Sequence, residues 1–153
     1  MSLFGAIDVS ASALTANRLQ MDVTAENLAN AQTTRTAEGG PYRRKTVVLE
    51  EASGGTAFRG ALDGAMRTAS ASGGAGAAGG VEVAGVVEHP APPRLVYDPG
   101  HPDANADGYV EMPAVDTVTE MVDLISSSRA YEANVTAMQA TKQMFTRTLD
   151  LLR

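Results

Sequence analysis

Both ends of the chain carry apolar residues at seven-residue spacing, over stretches that hold almost no helix breaker. In residues 2–30 the only breaker is Gly5, and neither Gly nor Pro occurs in residues 117–152. The first repeat consists of Ile7, Leu14, Met21 and Leu28. The second repeat, with its companion positions, consists of Met121, Leu124, Tyr131, Val135, Met138, Phe145, Leu149 and Leu152. Because this spacing puts apolar side chains on one narrow stripe, the sequence predicts two long amphipathic helices.

The ends of these helices also carry local signals. Asn30 is expected to end the first helix, since it precedes a polar turn-forming stretch. The second helix is expected to begin at Thr117, because the segment Thr117-Val118-Thr119-Glu120 has the spacing of a capping box. At 1.5 Å per residue the second helix would be about 50 Å long.

Spacing alone does not decide what covers the two stripes. An antiparallel helical hairpin within one monomer would explain them as well as packing between molecules. However, each stripe lies at a chain end, and the segment between them is too small and too rich in Gly to complete a bundle. We therefore expect other chains to cover the stripes.

The middle of the chain has a different pattern. Strands are predicted at residues 42–50, at residues 81–88 and around Leu95-Val96-Tyr97. A short helix is predicted within residues 57–69, and a flexible Gly/Ala-rich tract at residues 70–80. Five prolines between positions 90 and 102 predict an extended, turn-rich path up to Gly108.

These patterns predict a mainly α protein with a small β middle region, in which the two terminal helices pack as a coiled-coil-like pair. The expected organisation is a terminal helix in residues 1–33, an extended Pro/Gly-rich β and loop region in residues 34–112, and a second terminal helix in residues 113–153.

Composition argues against an enzyme and against a nucleic-acid-binding protein. The chain has no Trp and no Cys, and 5% of its residues are aromatic, so it has little of the rigid bulk that walls a small-molecule pocket. Its net charge is −6, and the only basic cluster is Arg43-Arg44-Lys45. Phosphate backbones need a larger basic surface. We expect no catalytic residue, no metal and no cofactor.

The strongest chemical motif is Asp103-Ala104-Asn105-Ala106-Asp107-Gly108, which matches the first half of a calcium-binding loop. The twelfth position should supply a bidentate carboxylate, but Ala114 occupies it. We interpret the segment as a structural turn, and keep a coiled-coil adaptor with a weak calcium-binding loop as the alternative function.

The N-terminal residues contain no basic segment followed by an apolar run, so no secretory signal peptide is expected. No stretch approaches the ~20 apolar residues of a membrane span. Membrane insertion is therefore not expected either.

Specific sequence elements resemble a known family. Asn27-Leu28-Ala29-Asn30 resembles the signature of the axial proteins of the bacterial flagellar rod and hook. The segments Leu95-Val96-Tyr97-Asp98-Pro99-Gly100-His101-Pro102, Gly108-Tyr109-Val110 and Tyr131-Glu132-Ala133-Asn134-Val135 are similar to those of proximal rod subunits within that family. The resemblance spans both ends and the proline-rich centre.

The resemblance implies a structural subunit whose terminal helices pack into the core of the rod, the drive shaft that transmits torque. The implied partners are further copies of this chain, the rod subunits FlgB, FlgF and FlgG, the adaptor FliE at the rod base and the flagellar type III export apparatus. The implied location is the periplasmic rod of the basal body, reached without a cleaved signal peptide.

Overall fold

The structure, a computed structural model, describes residues 3–52 and 79–151. Its elements follow the chain in the order α1 (Leu3–Ala29), β1 (Lys45–Glu51), β2 (Val81–Glu88), β3 (Arg94–Tyr97), β4 (Tyr109–Met112) and α2 (Thr117–Leu151). The strands form two separate two-stranded sheets, β1 with β2 and β3 with β4. The predicted fold class is confirmed: the protein is mainly helical with a small antiparallel β middle region.

Helix α1 ends where the sequence predicted, because Asn30 closes its last turn. The backbone amide and the side-chain Nδ2 of Asn30 both donate to the carbonyl of Glu26, at 3.0 Å each. The Thr33 hydroxyl in turn donates to Oδ1 of Asn30 at 3.1 Å. The Asn30 side chain thus links the last turn of the helix, at Glu26, to the following turn, at Thr33.

Helix α2 begins at Thr117 as predicted, but the predicted capping box is wrong. Asp116 is the N-cap: its Oδ1 accepts the Val118 amide at 3.0 Å, and its Oδ2 accepts the Thr119 hydroxyl at 3.0 Å. With Asp116 at the cap, Glu120 lies one position past the site from which a capping-box carboxylate reaches back. Glu120 instead points inward and is 1% exposed.

The first sheet is a β-hairpin whose connecting segment lies outside the described residues. Backbone bonds from Ala52 to Gly80 and from His89 to Arg44 close its two ends, at 2.8 and 2.7 Å. Strand β1 starts three residues later than predicted, because Tyr42 donates its amide to Thr33 in a preceding turn. The helix expected within residues 57–69 and most of the Gly/Ala-rich tract fall outside the described residues.

The second sheet contains a strand, β4, that the sequence analysis did not predict. Strands β3 and β4 are antiparallel, with Leu95 opposite Glu111 and Tyr97 opposite Tyr109. Strand β4 has the short sequence Tyr-Val-Glu-Met, and its pairing with β3 identifies it as a strand. The connecting loop turns at Gly108, whose φ of 80° lies in the left-handed region.

The chain divides into two compact units, and each contains part of both helices. The described part of one unit comprises residues 3–16, 49–52, 79–83 and 131–151. The other unit comprises residues 17–48 and 84–130, and it holds a small apolar cluster of Ala31, Tyr42 and Val115 together with the fully buried Val110 and Pro113.

Neither of the two helices, over the part of the chain that the structure describes, is long and apolar enough to cross a membrane.

Substituting Gly108 should destabilise the β3–β4 hairpin more than a substitution that meets open space. A Cβ on Gly108 would lie 2.9 Å from Cε2 of Tyr97, whereas a Cβ on Gly39, with φ of 89°, would meet nothing within 4 Å. Both Gly108→Ala and Gly39→Ala incur the left-handed penalty of about 1–2 kcal/mol. Urea unfolding should show a larger loss for Gly108→Ala, and equal losses would contradict the packing against Tyr97.

The Asp116 cap should make α2 sensitive to acid. Hydrogen bonds from the Thr119 hydroxyl and the Val118 amide lower the pKa of Asp116 below its ordinary value of 3.8. A lowered pKa means that the carboxylate stabilises the fold above pH 3.8, and that this contribution disappears as the pH falls through the lowered value. Asn can cap but does not titrate. The stability difference between the native chain and Asp116→Asn should therefore shrink between pH 6 and pH 2. A stability difference that stays constant between pH 6 and pH 2 would contradict the role of the Asp116 carboxylate as a helix cap.

Candidate assembly surfaces and the polar junction of the helices

The end of α1, the start of β1 and the start of α2 meet at one buried amide, that of Asn27. Its Nδ2 donates to the carbonyl of Lys45 at 2.8 Å and to Oε2 of Glu120 at 3.2 Å. Its Oδ1 accepts the Tyr42 hydroxyl and the Lys45 amide, both at 2.9 Å. Asn27 is 1% exposed, so the two donors and two acceptor sites of its side chain are all used inside the protein.

Glu120 brings a buried charge to this junction. Its Oε1 accepts the Nε–H of Arg44, whose guanidinium also lies 3.7 Å from Asp123. A carboxylate that is almost fully buried is tolerated only when it is paired and hydrogen-bonded. Arg44 supplies the opposite charge, and Arg44 and Asn27 both donate hydrogen bonds to the Glu120 carboxylate. Among the described residues, no buried side-chain nitrogen or oxygen lacks a hydrogen-bond partner.

Tyr42 and Lys45 complete the junction on the side of β1. Burial and the nearby Glu26 carboxylate raise the pKa of Tyr42 above 10.0, so its hydroxyl remains a donor to Asn27 at neutral pH. Lys45 Nζ lies 2.6 Å from Glu26 and 5.8 Å above the Tyr42 ring, and the hydrogen bond to Glu26 raises the pKa of Lys45. We call Asn27, Tyr42, Arg44 and Glu120, with their bonds, the polar junction.

The buried face of α1 is not the one with the large apolar repeat. Ala16, Val23, Thr24 and Asn27 are buried, whereas the predicted stripe is only half-buried. At 100° per residue, the stripe position Leu14 points about 200° away from Ala16. Met21 and Leu28, however, lie within about 60° of the buried Thr24. The stripe of Ile7, Leu14, Met21 and Leu28 therefore lies beside the most buried face rather than on it.

The predicted stripe of helix α2 is half-buried in the middle of the helix and exposed at both ends. Leu124, Tyr131, Val135 and Met138 are half-buried, whereas Met121, Phe145 and Leu149 are exposed. Leu152 lies outside the described residues. Glu120 and Ser127, on the same side as Leu124, are buried. The apolar seam is thus covered in the middle of the helix and exposed at Met121 and at Phe145 and Leu149.

The motif residues divide into two groups. In the first motif, Asn27 forms the polar junction and Asn30 ends α1. Leu28, between them, is half-buried, and Ala29 is exposed. In the other motif, Tyr131 and Asn134 are half-buried and Glu132 and Ala133 are exposed. The sequence analysis missed Tyr42 and Glu120 as partners of Asn27, and Arg44 as the partner of Glu120. The run Tyr42-Arg43-Arg44-Lys45 is the one available signal, since basic residues there can neutralise a buried carboxylate.

The Asp103 segment is a turn whose first carboxylate already has protein partners. Oδ2 of Asp103 accepts the Thr34 hydroxyl at 2.9 Å, and Oδ1 lies 3.8 Å from the Arg35 guanidinium. Within residues 3–52 and 79–151, no three His, Cys, Asp or Glu side chains gather as metal ligands would. The adaptor with a calcium-binding loop finds no support.

A groove of about 690 Å³ lies beside the start of α2 in the same unit. Its ionisable lining residues are Arg94 and Asp116, and Asp116 is engaged as the helix cap. This pair does not form a nucleophile with a base, or a general acid with a base, as a catalytic site requires.

Removing the Asn27 amide should destabilise the fold strongly. Asn27→Ala leaves the Tyr42 hydroxyl, the Lys45 backbone and one oxygen of Glu120 without their partner, which should cost about 2–4 kcal/mol. Urea unfolding followed by circular dichroism measures the loss. Asn105→Ala is the matched control, because Asn105 is exposed and should change stability by less than about 0.5 kcal/mol. Equal effects of the two variants would show that the junction does not hold the fold.

Comparison with known proteins places these elements in a family. Residues 7–35, which contain most of α1, match the family model for flagella basal body rod proteins. Residues 106–151, which contain β4 and α2, match the model for the C-terminal region of the flagellar basal body rod FlgEFG proteins.

Similar proteins cover the whole chain. The flagellar basal-body rod protein FlgC of Bacillus subtilis (strain 168) is 50% identical over 155 residues, which cover 99% of each chain. The FlgC proteins of Borreliella burgdorferi and Escherichia coli O157:H7 are 41% and 44% identical, over 100% and 99% of this chain and 99% and 98% of their own length. The chain therefore belongs to the family of the flagellar basal-body rod protein FlgC, a structural component of the rod.

Proposed function

We propose that this subunit belongs to the proximal part of the rod and assembles through the apolar seams of α1 and α2. The observation that carries the proposal is the exposure of large apolar side chains along α2 in a protein that buries few of them. Among the described residues, the buried apolar side chains are Ala16, Val23, Ala31, Tyr42, Val110 and Val115.

The exposed apolar residues of α2 lie near its two ends. Near the start, Val118, Met121, Val122 and Ile125 are 50–67% exposed, and near the end Met144 and Leu149 are 55% and 49% exposed. Folded monomers rarely leave contiguous apolar surface of this kind in water. Full burial of one such side chain contributes about 1.5–3 kcal/mol. Neighbouring subunits that close over the helix would supply that burial.

The proposed interface comprises the predicted seam residues of both helices: Ile7, Leu14, Met21, Leu28, Met121, Leu124, Tyr131, Val135, Met138, Phe145, Leu149 and Leu152. The half-buried members leave part of each side chain for a second helix to cover. In a tubular assembly each helix contacts neighbours on more than one side. Helix α1 has a face with small buried residues and, beside it, large partly exposed residues, so it can pack within its own subunit and against a neighbour.

The polar junction suits a subunit that carries torque. Fully satisfied buried polar groups fix one geometry, because any displacement leaves a donor or acceptor unpaired in a low-dielectric interior. The junction thus holds α1, β1 and α2 at fixed positions where they meet. Torque transmission requires stiff contacts and no catalytic group, in keeping with a family of structural proteins that are not enzymes.

Family membership also supports a set of partners and a route. We infer that the subunit contacts further copies of itself, the rod subunits FlgB, FlgF and FlgG, and the adaptor FliE at the rod base. We also infer that it leaves the cytoplasm through the flagellar type III export apparatus, without a cleaved signal peptide, and assembles in the periplasm.

A charge at the exposed end of the α2 seam should prevent assembly without unfolding the monomer. Leu149→Asp changes an exposed side chain, so monomer stability should change by less than about 0.5 kcal/mol, but a carboxylate enclosed between subunits would cost several kcal/mol at each copy. The variant, expressed in the native bacterium lacking its own copy, should be exported but yield non-motile cells without rods in electron micrographs.

The matched control is Gln143→Asp, which adds the same charge to an exposed position on another face of α2. Cells carrying it should swim. Normal rods with Leu149→Asp would show that this part of the seam is not an assembly surface.

A further inference from the structure

The β3–β4 hairpin has an outward face that the helix seams do not use. Its register puts Leu95 and Tyr97 on the same face as Glu111 and Tyr109, because residues opposite each other in antiparallel strands share a face. The other face carries Val110, which is completely buried. We call Leu95, Tyr97, Tyr109 and Glu111 the hairpin patch.

The apolar part of the hairpin patch is strongly exposed. Leu95 is 60%, Tyr97 65% and Tyr109 43% exposed. The two tyrosine rings meet edge to face, with centroids 5.3 Å apart and an angle of 65° between the planes. Tyrosine is enriched among the residues that dominate binding at protein interfaces.

The Tyr97 ring is held in place before any partner binds. A Cβ on Gly108 would come within 2.9 Å of Cε2 of Tyr97 and 3.4 Å of Cβ of Pro99, so the ring packs directly on the glycine backbone. Two backbone hydrogen bonds fix Gly108. Its amide donates to the carbonyl of Asn105, and its carbonyl accepts the amide of Asp98. An aromatic side chain that is already fixed loses little conformational entropy when it binds.

The electrostatic surroundings of the hairpin patch are acidic. Residues 94–112 contain four carboxylates and a single arginine. Arg94 lies opposite Met112 on the other face, and Asp103 is engaged by Thr34 and Arg35. Asp98 and Asp107, in the loop that joins the strands, and Glu111, on the face of the tyrosines, are exposed. The field at the rings therefore favours a cation.

We propose that the hairpin patch binds an arginine-bearing segment of a neighbouring protein. The guanidinium lies over the face of one tyrosine ring and pairs with the Glu111 carboxylate, while an adjacent apolar side chain of the segment contacts Leu95. Arginine fits better than lysine, because its planar group stacks on aromatic rings and can form two parallel hydrogen bonds with a carboxylate. This contact goes beyond assembly through the helices and can fail independently of it.

The first test uses the full chain labelled with ¹³C in its tyrosine rings, with a capped Arg-Leu-Arg peptide as the probe. The chain has four tyrosines, so the resonances of Tyr42 and Tyr131 serve as internal controls. The peptide should shift the signals of Tyr97 and Tyr109 only. A matched peptide with neutral citrulline in place of arginine should shift them much less. No shift, or an equal shift with citrulline, would overturn the proposal.

Two variants test the roles of charge and ring. Glu111→Gln should weaken binding of the Arg-Leu-Arg peptide about two- to five-fold, as the loss of one surface ion pair does. Glu82→Gln, which removes an exposed carboxylate from β2, should leave binding unchanged. Tyr97→Leu should abolish the peptide-induced shift of Tyr109. Unchanged binding by Glu111→Gln would overturn the proposal.

The second test examines the assembled rod. A photoreactive phenylalanine derivative in place of Tyr109 should cross-link, in isolated basal bodies, to a peptide that contains arginine next to the cross-linked position. A cross-link to a segment without arginine would overturn the proposal, and so would the absence of any cross-link. Leu149→Asp does not alter the hairpin, so the peptide test on that variant separates a failure of helix assembly from a failure of the hairpin contact.

Discussion

The rest of the structure depends on the buried hydrogen bonds of one side-chain amide. Asn27 joins the end of α1 to the first residue of β1 and to Glu120 in the first turn of α2, and no donor or acceptor of its side chain is left over. Arg44 neutralises the Glu120 carboxylate that this arrangement buries. Because each group is satisfied only in this geometry, the junction fixes the positions of three segments that are far apart in the sequence.

This polar junction explains how the subunit can be ordered with a small apolar core. Most proteins of this length bury their large apolar side chains in their own interior. Here the buried face of α1 carries Ala16, Val23 and Thr24, while the larger apolar residues remain partly exposed. Polar contacts thus order the segments that meet at the junction. In the proposed assembly, the partly exposed apolar residues would gain their hydrophobic stabilisation from neighbouring subunits.

The β3–β4 hairpin presents a second surface with different chemistry. The helix seams are apolar and gain from exclusion of water, whereas the hairpin patch combines two fixed tyrosines with exposed carboxylates. Apolar seams supply affinity with little directionality, and an ion pair stacked on an aromatic ring depends on orientation. Using both kinds of contact would let neighbouring subunits meet tightly along the helices while a polar contact sets their register.

The sequence by itself determined the helices, since seven-residue spacing and the near absence of Gly and Pro act locally. It also determined the hairpin strand at residues 81–88, where valines recur in a short run. It also identified the family, through the motif from Asn27 to Asn30 together with the elements at residues 95–102, 108–110 and 131–135. Only the tertiary structure decided which face of α1 is buried, that Glu120 pairs with Arg44 rather than capping α2, and that β4 exists. Each of these three features depends on residues distant in the sequence. A periodic pattern shows which residues share a face of a helix or strand, but it does not show which other segment packs against that face.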